Sequence, residues 1–204
     1  MRTAMVVVGM LVGAANAMAA DIAGKWGIGA GVFGGGGEIT LIRGKSPQSA
    51  WLFDVTLSDR DDARSDETIP PATPTVSRNQ NVLTMRLGPG YRRFVSTGDF
   101  TPYWDVRARL FYQRIHFGEG LSDASPGVSD TETRIGPEAV FSFGLEYFTP
   151  WRFSVAVHSS VASVTWMSID GKTINPPGPE RRSSGSSTFA SIGLSPVLFV
   201  RGYF

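Results

Sequence analysis

Thr188 to Phe204, TFASIGLSPVLFVRGYF, is the stretch whose reading decides the fold. At period two, Ile192, Leu194, Leu198, Val200 and Phe204 share one face, while Ser191, Gly193, Ser195 and Arg201 share the other. That alternation is a β-strand with one apolar face. Pro196 and Gly202 are the two residues in it that do not suit an ordinary strand. The strand runs to the final residue, an aromatic, although termini usually fray in water unless something ties them down. A last strand of this kind is expected to pair with the first, so that no backbone N–H or C=O is left at an open edge.

At 204 residues the chain has length for one domain. Met1 to Ala20 has the layout of a secretory signal peptide: Arg2 as the positive start, Ala4 to Ala15 as the apolar run, and Ala17-Met18-Ala19 as the small-residue cleavage site. Residues 21–204 are then the mature domain. The leader is too short for a spanning helix, and no later apolar run approaches the length that a membrane helix needs. Removing Arg2 with the leader leaves as many basic as acidic residues, 18 of each. A neutral chain lacks the basic footprint of nucleic-acid binding. Cysteine is absent, which excludes a disulfide scaffold, a cysteine-held metal and a lipidated cysteine anchor.

Period two continues through the mature chain, interrupted by turn-forming clusters. The alternation predicts strands over about Lys25 to Val32, Glu38 to Arg43, Trp51 to Ser58, Asn81 to Phe94, Tyr103 to His116, Glu132 to Tyr147, Trp151 to Val161 and Thr188 to Phe204. In the second, Ile42 blurs the pattern. Nowhere does the apolar spacing change to 3.6. The connections Gly44 to Gln48, Ser96 to Pro102 and Phe148 to Pro150 are short. Asp59 to Gln80, Phe117 to Thr131 and Met167 to Ser187 are expected to be long loops, and only the glycine run Gly34 to Gly37 breaks the rule. Short turns at one end and long loops at the other describe bacterial outer-membrane barrels, with both termini in the periplasm when the strand count is even.

A water-soluble barrel would alternate in the same way. Three features favour a membrane barrel. Most strands are long enough to cross a bilayer at about 45° tilt. Trp26, Trp51, Tyr91, Trp104, Tyr147, Trp151 and Phe204 lie near strand ends on the apolar face, as aromatic girdles do. Glu38, Asp54, Arg86, Arg92, Asp105, Arg107, Arg109, Arg134, Glu138 and Glu146 occupy the opposite face at mid-strand, where they must neutralise one another across a lumen.

Leader, eight alternating strands, loop asymmetry and terminal Phe204 resemble the small eight-stranded outer-membrane β-barrel superfamily typified by OmpA's membrane domain, OmpX and OmpW. The ending also resembles the C-terminal insertion signal of Gram-negative outer-membrane proteins. The resemblance implies an all-β, up-and-down transmembrane barrel in the outer membrane. It also implies contact with outer-membrane lipid and lipopolysaccharide, handling by the barrel-assembly machinery through the C-terminal strand, and a monomeric state.

Eight strands enclose a bore that side chains can fill, so a general porin is not expected. The lumenal glycines Gly27, Gly29, Gly31, Gly88, Gly90, Gly136 and Gly144 leave space that water or a narrow path could use. His158 and Ser160 form an H-x-S pair that resembles the histidine and serine of outer-membrane lipid A deacylases. They fall on the lumenal face, with no carboxylate in the last strand to complete a triad, so His158 is expected in the lumenal polar network. Asp59, Asp61, Asp62, Asp66 and Glu67 crowd one loop, but Arg60 and Arg64 interleave and the spacing fits no calcium loop. No catalytic, cofactor or metal residue is therefore assigned. The expected function is non-enzymatic, a structural or surface-interaction role carried by the extracellular loops. A narrow channel for small or apolar solutes is the alternative, and a lipid A-modifying hydrolase the third reading.

Overall fold

The computed structural model describes residues 22–33, 36–66, 76–96, 98–121, 128–149, 151–174 and 178–204. Eight strands follow in order: β1 Trp26–Phe33, β2 Gly36–Ser46, β3 Ser49–Asp66, β4 Val76–Phe94, β5 Phe100–Leu121, β6 Val128–Phe148, β7 Phe153–Ile174 and β8 Arg181–Tyr203. Each pairs antiparallel with its neighbours, and β1 pairs with β8 to close the ring. The closing register runs from Gly27↔Tyr203 to Val32↔Leu198. Phe204 is tied down beyond it by backbone hydrogen bonds to Trp26 in both directions, at 2.8 and 3.0 Å.

The three long loops are corrected. Most of Asp59–Gln80, Phe117–Thr131 and Met167–Ser187 continues the ladders, as in Asp61↔Asn81, Phe117↔Asp130 and Lys172↔Arg182. Only 67–75, 122–127 and 175–177 within them lie outside the described residues. The acidic cluster thus begins on a strand, where Asp59 and Asp61 both accept hydrogen bonds from Asn81 Nδ2. A strand wetted on both faces has no apolar period, so nothing in its side chains reveals the ladder.

Outward-facing residues form an apolar band. On β3 it spans Trp51, Phe53, Val55 and Leu57, and the next outward residue is Asp59. On β5 it ends at Tyr112 before Arg114, and on β6 at Ile135 before Thr133. That height suits the nine to eleven residues, roughly, with which a tilted strand crosses hydrocarbon. Aromatics gather at the short-turn end. Trp51 meets Tyr91 edge-on at 5.3 Å, and Phe100 lies 4.7 Å from Tyr147. Arg43 and Lys45 reach over Trp26 and Trp51. On β7 a bulge at Val161 inverts the phase, because Ser142 faces Ser160 while Phe141 faces Ala162. Val161 therefore does not continue the row of Val155 and Val157. Above it Trp166 takes the outer face, and Thr165 the inner one.

Before β1 the chain turns back toward β2, with Gly24 N–H donating to Gly44 O, and places Ile22 in the buried cluster that also holds Ile42 and Leu52. This explains why Ile42 breaks the β2 pattern: it faces inward and is fully buried. Gly24 turns the chain with φ of 73°. A Cβ at Gly44 would lie 1.8 Å from the Ile22 carbonyl oxygen. Gly44→Ala should therefore displace Ile22 and cost about 1–3 kcal/mol in urea unfolding, as overpacking does. Gly185→Ala, where a Cβ meets nothing within 4 Å, should leave the midpoint unchanged.

Candidate functional site

The inward face builds one connected site. Its base, at the short-turn end, is aromatic: Phe94 packs edge-on against Tyr103 and Phe148, both at 5.9 Å, and Phe148 lies 5.7 Å from Tyr203. Above it comes charge. Arg92 donates to Asp105 at 2.9 Å and to Glu146 at 3.1 Å, and its guanidinium lies 3.8 Å from the Tyr103 ring centroid. Glu146 also meets Arg201 at 3.1 Å and accepts hydrogen bonds from Tyr203 Oη at 2.8 Å and from Ser154 Oγ. Arg107 bridges Asp105 at 3.0 Å and Glu38 at 2.5 Å, with Asp54 at 3.8 Å. Arg109 pairs with Asp54 at 2.7 Å, and the series ends where Arg86 meets Glu138 at 3.3 Å.

Five arginines (86, 92, 107, 109 and 201) thus face five carboxylates (38, 54, 105, 138 and 146). Alternation places these residues inward, and buried charge is tolerable only when paired and hydrogen-bonded. Arg134, expected to share those carboxylates, instead pairs with Glu132 on its own strand and donates to Gln113 at 3.3 Å. Arg92 and Arg201 were legible only as members of the polar face. Their common partner Glu146 is set by strands distant in sequence.

The lumenal glycines do not leave a path. A Cβ at Gly29 would sit 2.5 Å from Arg201 Cγ, one at Gly31 2.7 Å from the Phe199 ring, and one at Gly27 2.8 Å from Tyr203. Gly90 gives way in the same manner to Arg107, and Gly144 to Tyr103. The space freed by small residues on one strand is filled by large residues of the next. At Gly88 and Gly136 the neighbouring backbone itself closes in.

His158 lies in the polar network and is buried. Its ring stacks on Tyr103 and meets Phe199 edge-on. Arg107 Nη2 approaches Nε2 at 3.1 Å. Because a guanidinium only donates, Nε2 accepts, and Nδ1 carries the proton toward Tyr103 Oη at 3.3 Å. The lone pair that a serine nucleophile would need is occupied. Among the described residues, no hydrogen bond joins His158 to Ser160.

Beyond the ion pairs the lumen opens into a cleft of about 400 Å³, lined by Arg86, Phe111, Gln113, Glu138, Met167 and Phe189 among others. Charged, hydroxyl and apolar side chains line it together. It is a cup, closed below by the packed layers.

An all-β ring of eight antiparallel strands with a filled bore and an apolar outer band defines an outer-membrane type of barrel. The chain superposes on a major outer membrane protein from Thermus thermophilus with a TM-score of 0.55 at 14% identity, over 88% of this chain and 99% of that one. CarO from Acinetobacter baumannii aligns over 93% of this chain and 99% of its own at 13% identity, with a TM-score of 0.33. CarO2 from the same species aligns over 93% and 100% at 12% identity, with a TM-score of 0.35. The Thermus protein shares the fold; the CarO superpositions are too loose to add to it. No protein-family model and no curated protein matches the sequence.

Removing Arg107 leaves Asp105 with Arg92 alone and Glu38 with only the more distant Arg109 at 3.9 Å, so buried negative charge goes under-compensated. Arg107→Ala should lower stability by about 3–5 kcal/mol in urea titrations of the refolded protein. Glu138→Ala should cost less, because its partner Arg86 is partly solvated at the cleft. Arg43→Ala, on the outer surface, should cost no more than about 1 kcal/mol.

Proposed function

We propose that this chain is a non-enzymatic, non-conducting barrel of the bacterial outer membrane, whose role is structural or interactive and is carried by the sheet that rises beyond the apolar band. The observation that carries this reading is the filled lower lumen: Arg92, Arg107, Arg201, Asp105 and Glu146 have no exposed surface, and aromatic rings lie beneath them. A solute would have to break several buried ion pairs to pass. The leader-like N-terminus, the apolar band and the aromatic rim support the outer membrane as its location. The short turns beside both termini support a periplasmic position for that end. Outer-leaflet lipid and lipopolysaccharide are then its surroundings, the assembly machinery its early partner through β8, and a monomer its working state. Against the hydrolase reading stands Arg107 Nη2, 3.1 Å from the His158 ring nitrogen that a base would use. A narrow channel for small or apolar solutes keeps one supporting observation, the amphipathic cup above the ion pairs.

Planar-bilayer recording distinguishes the two. The refolded protein should show no conductance steps above a heat-denatured control, and Arg107→Ala should introduce small ones. Steps in the native protein would favour the channel. Topology has its own measurement, made clean by the absence of cysteine. In intact cells a membrane-impermeant maleimide should label Ser183→Cys and spare Ser46→Cys. The reverse pattern would invert the orientation.

A further inference from the structure

Among the described residues, one edge of β8 has no neighbour above Leu198. β7 pairs with it along nearly its whole length, from Thr173↔Arg181 to Phe153↔Gly202. On the other side β1 reaches only to Val32↔Leu198, because β1 ends at Phe33 and the chain returns as β2 from Gly36. The pairing of β2 with β3 likewise stops at Gly36↔Ser58. Above that level a slot lies between the outer edges of β3, Asp59–Asp66, and β8, Arg181–Val197. Among the described residues no strand fills it. Two strands are missing from the slot, which at ~4.8 Å per strand makes it roughly 14 Å wide.

The slot descends into the apolar band. Ile192 and Leu194 continue the outward row of Leu198 and Val200, yet are 90% and 70% exposed against 57% and 53% for the two residues that have β1 beside them. Within hydrocarbon every backbone N–H and C=O needs a partner, and an acyl chain offers none. A further strand offers donors and acceptors in step with the edge. On the lumenal side the same stretch carries Ser187, Phe189, Ser191, Gly193 and Ser195, of which only Phe189 is large.

We propose that the free edge of β8 is a docking site for an extended polypeptide segment of a partner protein, added antiparallel as a strand that continues the line of β1. The proposal rests on the surface-interaction reading and names the partner's chemistry. Continuity with the β1–β8 ladder sets its direction, from the bilayer outward. The segment would alternate apolar residues beside Ile192 and Leu194 with small polar ones beside Ser187 and Ser191. Its outer end would carry acidic residues, because Arg181 is exposed there while Arg182 is held by Glu180 at 2.7 Å. Pro196, which has no N–H to give, limits pairing at the inner end. A second copy suits the slot poorly. Its β8 would cross the bilayer in the same direction as this one, and the outer part of its β3 starts only at Asp59, above the apolar band.

Hydrogen exchange in lipid nanodiscs tests this with a probe of roughly 12 residues, alternating threonine and valine and ending in two glutamates, since main-chain pairing tolerates sequence. The peptide should slow exchange of the Ser183–Ile192 amides by about tenfold and leave Phe199–Tyr203 unchanged. Arg181→Glu should weaken peptide binding by about tenfold at low salt, and the all-D peptide should have no effect. Unchanged exchange at Ser183–Ile192 overturns the proposal. Equal protection before peptide is added does so too, whether a dimer in sedimentation or a closed slot is the cause. Protection by a long-chain fatty acid but not by the peptide would make the slot a lipid site instead. Conductance of the same preparation is read separately, so a leaking lumen and an unreceptive edge are distinguishable failures.

Discussion

Charge neutralisation inside a bore of fixed width is the constraint on which the remaining structure depends. Eight strands leave room for side chains and little else. Alternation that turns one face toward hydrocarbon turns every second residue inward, and here many of those are ionised. The arginines and carboxylates are equal in number and interlock across β2, β3, β4, β5, β6 and β8, with Arg107 touching Glu38, Asp54 and Asp105 at once. Such a network adds little net stability over an apolar core, because desolvation offsets much of the attraction. Its consequence is specificity: one register brings every charge to a partner, and a one-residue slip would turn the charges into the band.

The same constraint governs the seam. Arg201, Phe199 and Tyr203 project inward from the last strand, and Gly29, Gly31 and Gly27 of the first strand make way for them. Large residues on one strand and glycine on the other let β1 and β8 approach while the bore stays full. The closing contact is therefore also part of the plug. The same strand that closes the ring thus helps fill the bore, and its terminal aromatic is held by Trp26.

Where β1 and β2 stop, the logic changes. The strands from β3 to β8 continue beyond the apolar band, and among the described residues the outer edges of β3 and β8 have no strand between them. The lower barrel is thus packed with side chains through its bore, whereas the upper part of β8 has no strand beside it on the β1 side among the described residues. The end of the β1–β2 pairing, at Phe33↔Gly36, marks the boundary between the two.

Strand number, inward and outward faces, the apolar band and the aromatic rim were all legible in the sequence, because a strand between lipid and lumen prints its environment at period two. Inward placement of His158 and of the ion-pair residues followed from the same phase. Three features needed the tertiary structure. The long strand extensions were invisible because water on both faces erases the period. The bulge at Val161 shifted the phase of β7 without a residue type that announces it. The lumenal glycines looked like vacancies because their occupants, Arg201, Phe199, Tyr203, Arg107 and Tyr103, lie on neighbouring strands, one of them at the opposite end of the chain. Which charge meets which was decided the same way. Periodicity fixes a face, but only the register and tilt of the closed ring bring Glu146 within reach of both Arg92 and Arg201.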